Sequence, residues 1–349
     1  MATNEKFELI AKLAQRYVAD CPAVILGSGL SIPYNLPSMS DLANELIGRI
    51  KIDDKKWAQF SDRLNQTKDL ERTLQEIELS ELLLARVVEE TWALTNEHDL
   101  AVYYNLIAKN NDIELSRLFK YLMRTANPCV SVITTNYDRL AEYAADLAEA
   151  NTCTGFSSGW IQRFLSDESL SRAKNTYSHS QGQIEIWKVH GSLDWFTNAS
   201  GDPIAIPLAS KLPDNCKPLI VTPGVSKYRE VHKDPFRTVM SRADKALQNA
   251  RCYLCVGYGF NDEHVQPILI KRVHRDKIPI VVITKCLTNA ARRLLLDNPC
   301  HKFLILEEKD GGTNVYYPDA ITGDFLPDYS IWDFPNFLNM LLGPEGGSE

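Results

Sequence analysis

Residues 23–31 read Ala-Val-Ile-Leu-Gly-Ser-Gly-Leu-Ser. Four apolar residues stop abruptly at Gly27-Ser28-Gly29, the pattern of a short buried strand that feeds a glycine turn. Upstream, Phe7, Ile10, Ala14 and Tyr17 recur at helical spacing, and Cys21-Pro22 ends that helix before the strand begins. Downstream, residues 40–126 offer no strand. Leu70, Leu74, Ile77, Leu84, Val88 and Trp92 are expected to form one stripe on a long helix, and 98–109 and 113–125 also read as helices. This stretch is expected to be a helical block inserted after the first turn, closed by Asn127-Pro128, because the residue before proline is pushed out of the helical region.

Beyond the block, strands and helices alternate. Cys129–Thr135 is β-branched and apolar, and a helix is expected from Tyr137 to about Ala150. Strands are expected at Ile184–His190, Cys252–Val256, Ile278–Thr284 and Lys302–Leu306, with helices at 234–250, 262–275, 287–296 and 329–342. The polar stretches 151–183 and 192–230 are expected to form a small loop-rich lobe, and the residues after 343 a frayed tail. The alternation predicts an α/β fold, a Rossmann-like doubly wound, mostly parallel sheet built as a single domain. In such sheets ligands bind beyond the carboxyl ends of the strands.

Bulk properties narrow the function. With 44% hydrophobic and 24% charged residues, the 349-residue chain has the composition of a folded globular protein. Its formal net charge of −7 argues against direct nucleic-acid binding over a large surface. No apolar run approaches the ~20 residues of a membrane-spanning helix. The opening MATNEKFELIAK lacks the basic head and apolar core of a signal peptide, so a cytoplasmic location is expected. The eight cysteines then imply thiols rather than a disulfide framework. Cys252 and Cys255 form a C-x-x-C, but on a strand positions i and i+3 face opposite ways, so a shared metal ion is not expected.

The residues just past the strands carry the chemistry. Gly27 and Gly29 would let the backbone approach a pyrophosphate, or could simply make a strand turn. The sixth position of G-x-G-x-x-G is Ile32, no acid-ended strand follows some 20 residues on, and no G-x-x-x-x-G-K-[ST] exists, which disfavours a dehydrogenase and excludes a P-loop ATPase. Asn136 could hold a ribose hydroxyl, order a water, or cap a helix. Asp138 is expected as a first-turn acid, either serving the helix dipole or touching ligand. His190 follows an apolar strand and precedes a glycine, so its ring should face the crevice as a general base or a partner for a sugar hydroxyl, unless it is structural. Gly257 and Gly259 again permit close approach, and Asn261 and Asp262 can bond ribose or cap the next helix.

Taken in order, GSGLSIPYNLPS at 27–38, TTNYD at 134–138, KVHGS at 188–192 and GYGFND at 257–262 resemble the motifs of the sirtuin (silent information regulator) superfamily. The resemblance implies a Rossmann-like fold that binds NAD and acts at the nicotinamide–ribose bond. It implies Asn136 and His190 as catalytic residues, and Gly27, Ser28, Gly29, Ser31, Asp138, Gly257, Tyr258 and Asn261 as the nucleotide-binding set. The departures are equally informative. Deacylases of this family carry a zinc ribbon with two C-x-x-C pairs, whereas 151–183 and 193–230 contain only Cys153 and Cys216. Their F-R pair after the first glycine motif is replaced here by Pro37-Ser38-Met39-Ser40, and their peptide-gripping segment by Val221-Thr222-Pro223-Gly224. The sequence is more similar to the divergent bacterial sirtuin-like group of antiphage defence. That similarity implies an NAD hydrolase with NAD as substrate and no metal, a homo-oligomer, and in some systems a HerA-type ring ATPase as partner. Three rival readings stay open: a zinc-free deacylase or ADP-ribosyltransferase, a scaffold that binds NAD or ADP-ribose and controls a partner ATPase, and a nuclease, for which the sequence offers no metal-carboxylate constellation.

Overall fold

A computed structural model describes residues 3–109, 112–124, 129–174, 182–221 and 233–344. The expected Asn127-Pro128 closure, residues 222–224 and the tail from 345 lie outside them.

The described residues form two sheets. The larger contains β1 (Ala23–Leu26), β2 (Cys129–Thr134), β3 (Asn151–Cys153), β5 (Gln183–Lys188), β9 (Tyr253–Val256), β10 (Ile280–Thr284), β11 (Phe303–Lys309), β12 (Gly312–Tyr317) and β13 (Ala320–Leu326). Their spatial order is β13-β12-β11-β10-β9-β1-β2-β5-β3. The seven strands from β11 to β3 pair in parallel, and β12 and β13 close the far edge as an antiparallel meander. The chain runs outward from β1 to β2 on one side and later returns to place β9 on the other. β1 therefore marks the switch point of a doubly wound, Rossmann-like α/β sheet, where a ligand crevice opens.

Strand β1 shows why these runs fold so. Val24 and Leu26 point into one apolar layer and Ala23 and Ile25 into the other, so a strand covered on both faces must be apolar at every position. The first layer is built with α1 (Thr3–Val18), α6 (Glu114–Met123), α7 (Leu140–Leu147) and α12 (Phe334–Leu342), the second with α9 (Phe236–Asn249), α10 (Val265–Arg275) and α11 (Asn289–Leu295).

The segment after the first turn holds helices and no strand among its described residues: α2 (Met39–Arg49), α3 (Lys55–Thr67), α4 (Leu70–Glu76), α5 (Glu81–Lys109), then α6. Ser38, Asp54 and Asp69 each cap the N-terminus of the helix that follows by accepting a backbone N–H. The single stripe expected from Leu70 to Trp92 is divided between two helices. The chain is extended at Ile77, and Ser80 starts α5 by accepting the Leu83 N–H on its hydroxyl. Leu70 and Leu74 join a core of the block itself with Leu46, Trp57, Phe60 and Leu83, whereas Trp92 packs against Leu193, Phe196, Ile204 and Ile220.

Those last residues belong to the second sheet, which is antiparallel: β4 (Gln162–Arg163), β7 (Pro203–Ala205), β6 (Gly191–Thr197) and β8 (Lys217–Ile220), in that order. The lobe expected to be loop-rich is thus organised by a small sheet, and α8 (Asp167–Lys174) follows β4. The first residues assigned to that lobe, Asn151–Cys153, instead pair with Gln183–Glu185 at the edge of the large sheet. Among the described residues, no helix is long and apolar enough to cross a membrane.

Candidate functional site

Four loops leave the carboxyl ends of neighbouring strands and meet around one cleft. Gly27, Ser28 and Ser31 come from the loop after β1, and Thr135, Asn136, Tyr137 and Asp138 from the loop after β2. His190 follows β5, and Tyr258, Gly259, Asn261 and Asp262 follow β9. The same loop after β1 adds Leu36 and Pro37, and the helical segment supplies Met39, Leu42 and Thr95.

At the centre is a directed chain of hydrogen bonds. The Asn136 side-chain amide donates from Nδ2 to the Gly27 carbonyl oxygen at 3.0 Å and to Ser31 Oγ at 3.1 Å. Ser31 Oγ in turn donates to Asp138 Oδ2 at 2.7 Å. A carbonyl oxygen only accepts, so the Gly27 contact fixes which end of the amide is nitrogen. Both protons of Nδ2 are then used, and Oδ1 has no partner among the described residues. Asn136 therefore presents an acceptor at the cleft, held in place by a three-residue relay. The loop is set by Thr134, which donates from Oγ1 to the Leu26 carbonyl and accepts the Asn136 N–H.

Asp138 does not lie in a helix's first turn, as expected, but ahead of α7. Its carboxylate turns inward to accept from Ser31 and from the Leu140 N–H. Burial pushes its pKa above the ordinary carboxylate value, and the neighbouring Lys188 charge and the Ser31 hydrogen bond pull it partly back. Lys188, wholly buried, donates to the Asp138 carbonyl oxygen and to Glu142. Next to them Arg139 spans Asp99 Oδ2 and Asp194 Oδ1, each at 2.6 Å, and Asn96 Oδ1 at 3.0 Å. A helix of the inserted block, α5, is thereby bonded directly to the residue that follows Asp138.

Across the cleft, His190 Nε2 meets Asp262 Oδ2 at 2.7 Å. Asp262 is held from behind, since its Oδ1 accepts the backbone N–H groups of His264 at 2.9 Å and Val265 at 2.8 Å. The His190 carbonyl accepts from Val221, whose own carbonyl accepts from Tyr137 Oη. The loops after β2 and β5 are therefore tied together through the residue that follows β8 of the small sheet.

The glycines join two of these loops. A Cβ on Gly27 would stand 2.3 Å from the Gly257 carbonyl oxygen, and one on Gly29 would stand 2.7 Å from the Gly257 Cα. Gly257 has φ +60°, a conformation that favours glycine. The loops after β1 and β9 thus interlock backbone to backbone, with the Gly29 N–H donating to the Gly257 carbonyl at 3.1 Å. Gly29 and Gly257 pack in this joint rather than line the cleft. Gly27, Ser28, Ser31, Asn136, Asp138, His190, Tyr258 and Asn261 do line it.

Sequence reasoning left Asp262 as a ribose contact or a cap, and did not pair it with His190, 72 positions away. The signal available was an acid three residues past Gly259, in the loop that follows the strand next to the switch point. Lys188, Glu142, Arg139, Asp99 and Asp194 were not singled out at all. Among the described residues no group of three or more His, Cys, Asp or Glu side chains could hold a metal ion.

Comparison with known proteins adds to this geometry. Residues 130–298 match the family model of the SIR2-like domain. The matched segment runs from β2 through α11 and contains Asn136, Asp138, His190, Tyr258, Asn261 and Asp262, so the part of the chain that builds most of the cleft is similar to SIR2-like domains. No curated protein matches the chain. Similar solved structures include a Sir2 enzyme, 13% identical over 82% of this chain and 90% of its own, with a TM-score of 0.43. A Sir2 homologue in complex with NAD is 14% identical over 85% and 87% of the two chains, with a TM-score of 0.41. A mutant Sir2 homologue in complex with ADP-ribose is 14% identical over 81% and 86%, with a TM-score of 0.42.

Proposed function

We propose that this chain is an NAD glycohydrolase that cleaves the nicotinamide–ribose bond to give nicotinamide and ADP-ribose. The observation that carries the reading is the arrangement at the cleft. Asn136, its amide protons committed to Gly27 and Ser31, turns an unpartnered acceptor toward a space that His190 faces from the other side. The order of the sirtuin-like motifs and the SIR2-like match over 130–298 support NAD as the substrate.

In this reading NAD lies across the switch point with its nicotinamide ribose between Asn136 and His190. The C1′–N bond breaks first, and its electron pair leaves with nicotinamide, which becomes neutral. The ribose passes through an oxocarbenium-like state. Asn136 Oδ1 accepts a hydrogen bond from the attacking water or a ribose hydroxyl and fixes its direction. Water oxygen bonds to C1′, and its proton passes to His190 and then to solvent. A positioned acid–base group of this kind is worth about 10²–10⁴ in rate. Asp138 and Ser31 hold Asn136, and Tyr258 and Asn261 line the nucleotide end of the cleft. The divergence from peptide deacylases, in particular the lack of two C-x-x-C pairs in 151–183 and 193–230, favours water as the acceptor. The biological setting that goes with this reading is depletion of NAD in antiphage defence, in the cytoplasm, by a homo-oligomer that a HerA-type ring ATPase could partner.

The test is chromatographic nicotinamide release by the purified chain, with and without an added acetyl-peptide. Asn136→Ala and His190→Ala should each lose turnover while keeping the wild-type circular dichroism spectrum. Wild-type rates in both variants would refute the assignment, and release only with the peptide would make the chain a deacylase.

A further inference from the structure

We propose that Asp262 is the positioning residue that fixes the tautomer of His190 and so determines which ring nitrogen does chemistry. The proposal rests on the reading of His190 as the group that acts on the ribose or its attacking water. Asp262 is almost fully buried and both of its oxygens are engaged. Oδ1 takes two backbone N–H groups at the start of α10, and Oδ2 lies 2.7 Å from His190 Nε2. The two backbone donors lock the carboxylate plane, so Oδ2 offers His190 an acceptor in a set direction. A neutral imidazole that answers an acceptor at Nε2 carries its proton there and keeps its lone pair on Nδ1. Nδ1 has no partner among the described residues, and His190 lines the cleft.

The chemical consequence is direct. Nδ1 is the base that takes a proton from the ribose hydroxyl or the water. As it does so the ring becomes cationic, and its Nε2–H bond to the Asp262 carboxylate becomes an ion pair. Asp262 takes no proton and touches no reacting atom. A base oriented by a third group that is itself fixed is the arrangement found in hydrolytic triads. The other ionisable groups lining this cleft are Tyr137 and Asp138 on the β2 side and Tyr258 on the β9 side; Tyr137 Oη donates to the Val221 carbonyl, and Asp138 accepts from Ser31 and the Leu140 N–H.

Asp262→Asn separates positioning from folding. The amide oxygen can still accept from His264 and Val265, which preserves the cap. Its nitrogen then faces His190 as a donor, forces the proton onto Nδ1 and removes the base from the cleft. The expected result is a fall in kcat of about 10²–10⁴-fold, with a much smaller change in the Kd for NAD. Long-range ¹H–¹⁵N spectra of the neutral ring, with His190 assigned by subtraction of His190→Ala, should report Nε2–H in the wild type and Nδ1–H in Asp262→Asn. An Nδ1–H ring in the wild type overturns the proposal, and this reading needs no turnover. A wild type that hydrolyses NAD alongside an equally active Asp262→Asn also overturns it. A wild type that binds NAD without cleaving it, yet shows the Nε2–H ring and the switch in Asp262→Asn, rejects the glycohydrolase reading and upholds the positioning role.

Discussion

Replacing Gly27 by alanine puts a methyl group into the joint between the two glycine loops. The new Cβ would stand 2.3 Å from the Gly257 carbonyl oxygen and 2.6 Å from the Tyr258 Cα, both backbone atoms that no side-chain rotation can move aside. An ordinary carbon–oxygen contact is about 3.3 Å, so the loops must part by about 1 Å. The Gly27 N–H to Val256 carbonyl and Gly29 N–H to Gly257 carbonyl bonds, both 3.1 Å, would then stretch beyond hydrogen-bonding range. Two such bonds contribute about 1 kcal/mol each, and overpacking costs about 1–3 kcal/mol, giving a loss of about 3–5 kcal/mol. Gly259→Ala is the internal control. Its Cβ meets nothing closer than 3.4 Å, so its cost should stay under about 1 kcal/mol. Urea unfolding followed by tryptophan fluorescence measures both, and NAD titration should show weakened binding for Gly27→Ala. Equal stability of Gly27→Ala, Gly259→Ala and wild type would refute the interlock.

Other consequences are equally open to test. Burial raises the Asp138 pKa, so the folded chain holds that proton more tightly than the unfolded chain; between the ordinary value of 3.8 and the raised one, stability falls as pH rises. Asp138→Asn lacks this loss, and its melting temperature should therefore gain on that of the wild type as pH climbs out of the acid range, whereas parallel curves would contradict it. Arg139→Met leaves Asp99 and Asp194 facing each other without their cation and should cost about 3–5 kcal/mol in denaturant unfolding. Arg139→Lys should recover only part of that, because one ammonium cannot span Asp99, Asp194 and Asn96. Full recovery would show that the charge alone matters. A thiol reagent at pH 8 should label Cys286, which is exposed, and spare Cys252 and Cys255 until the chain unfolds. Burial pushes the Cys252 thiol up to about 12 and Cys255 further still.

The parallel part of the sheet was legible because strands covered on both faces announce themselves as apolar runs. Ala23–Leu26, Tyr253–Val256 and Ile280–Thr284 needed only that rule and the helices between them. The β12–β13 meander escaped because its strands carry Thr, Asn, Gly and Asp. The usable clue was Asp310-Gly311, two residues with φ +50° and +80° that turn Lys309 onto Gly312 in a tight hairpin. The break between α4 and α5 escaped because Ile77 keeps the helical spacing while its backbone is extended. At the site, motif order placed Asn136, Ser31, Asp138 and His190 at strand ends, and topology then brought them together. The ion pairs were invisible for a plain reason. Asp99, Arg139 and Lys188 look like solvated surface charges until partners 40 to 55 positions away in sequence are folded against them.

Incubating the purified chain with NAD alone and following nicotinamide by chromatography tests the central claim most directly. The account predicts release of nicotinamide with ADP-ribose in equal amount, without any acyl-peptide, and abolished by Asn136→Ala. NAD recovered intact, from a wild type shown by titration to bind it and tested with and without a HerA-type partner, would contradict the claim and leave a binding protein in its place.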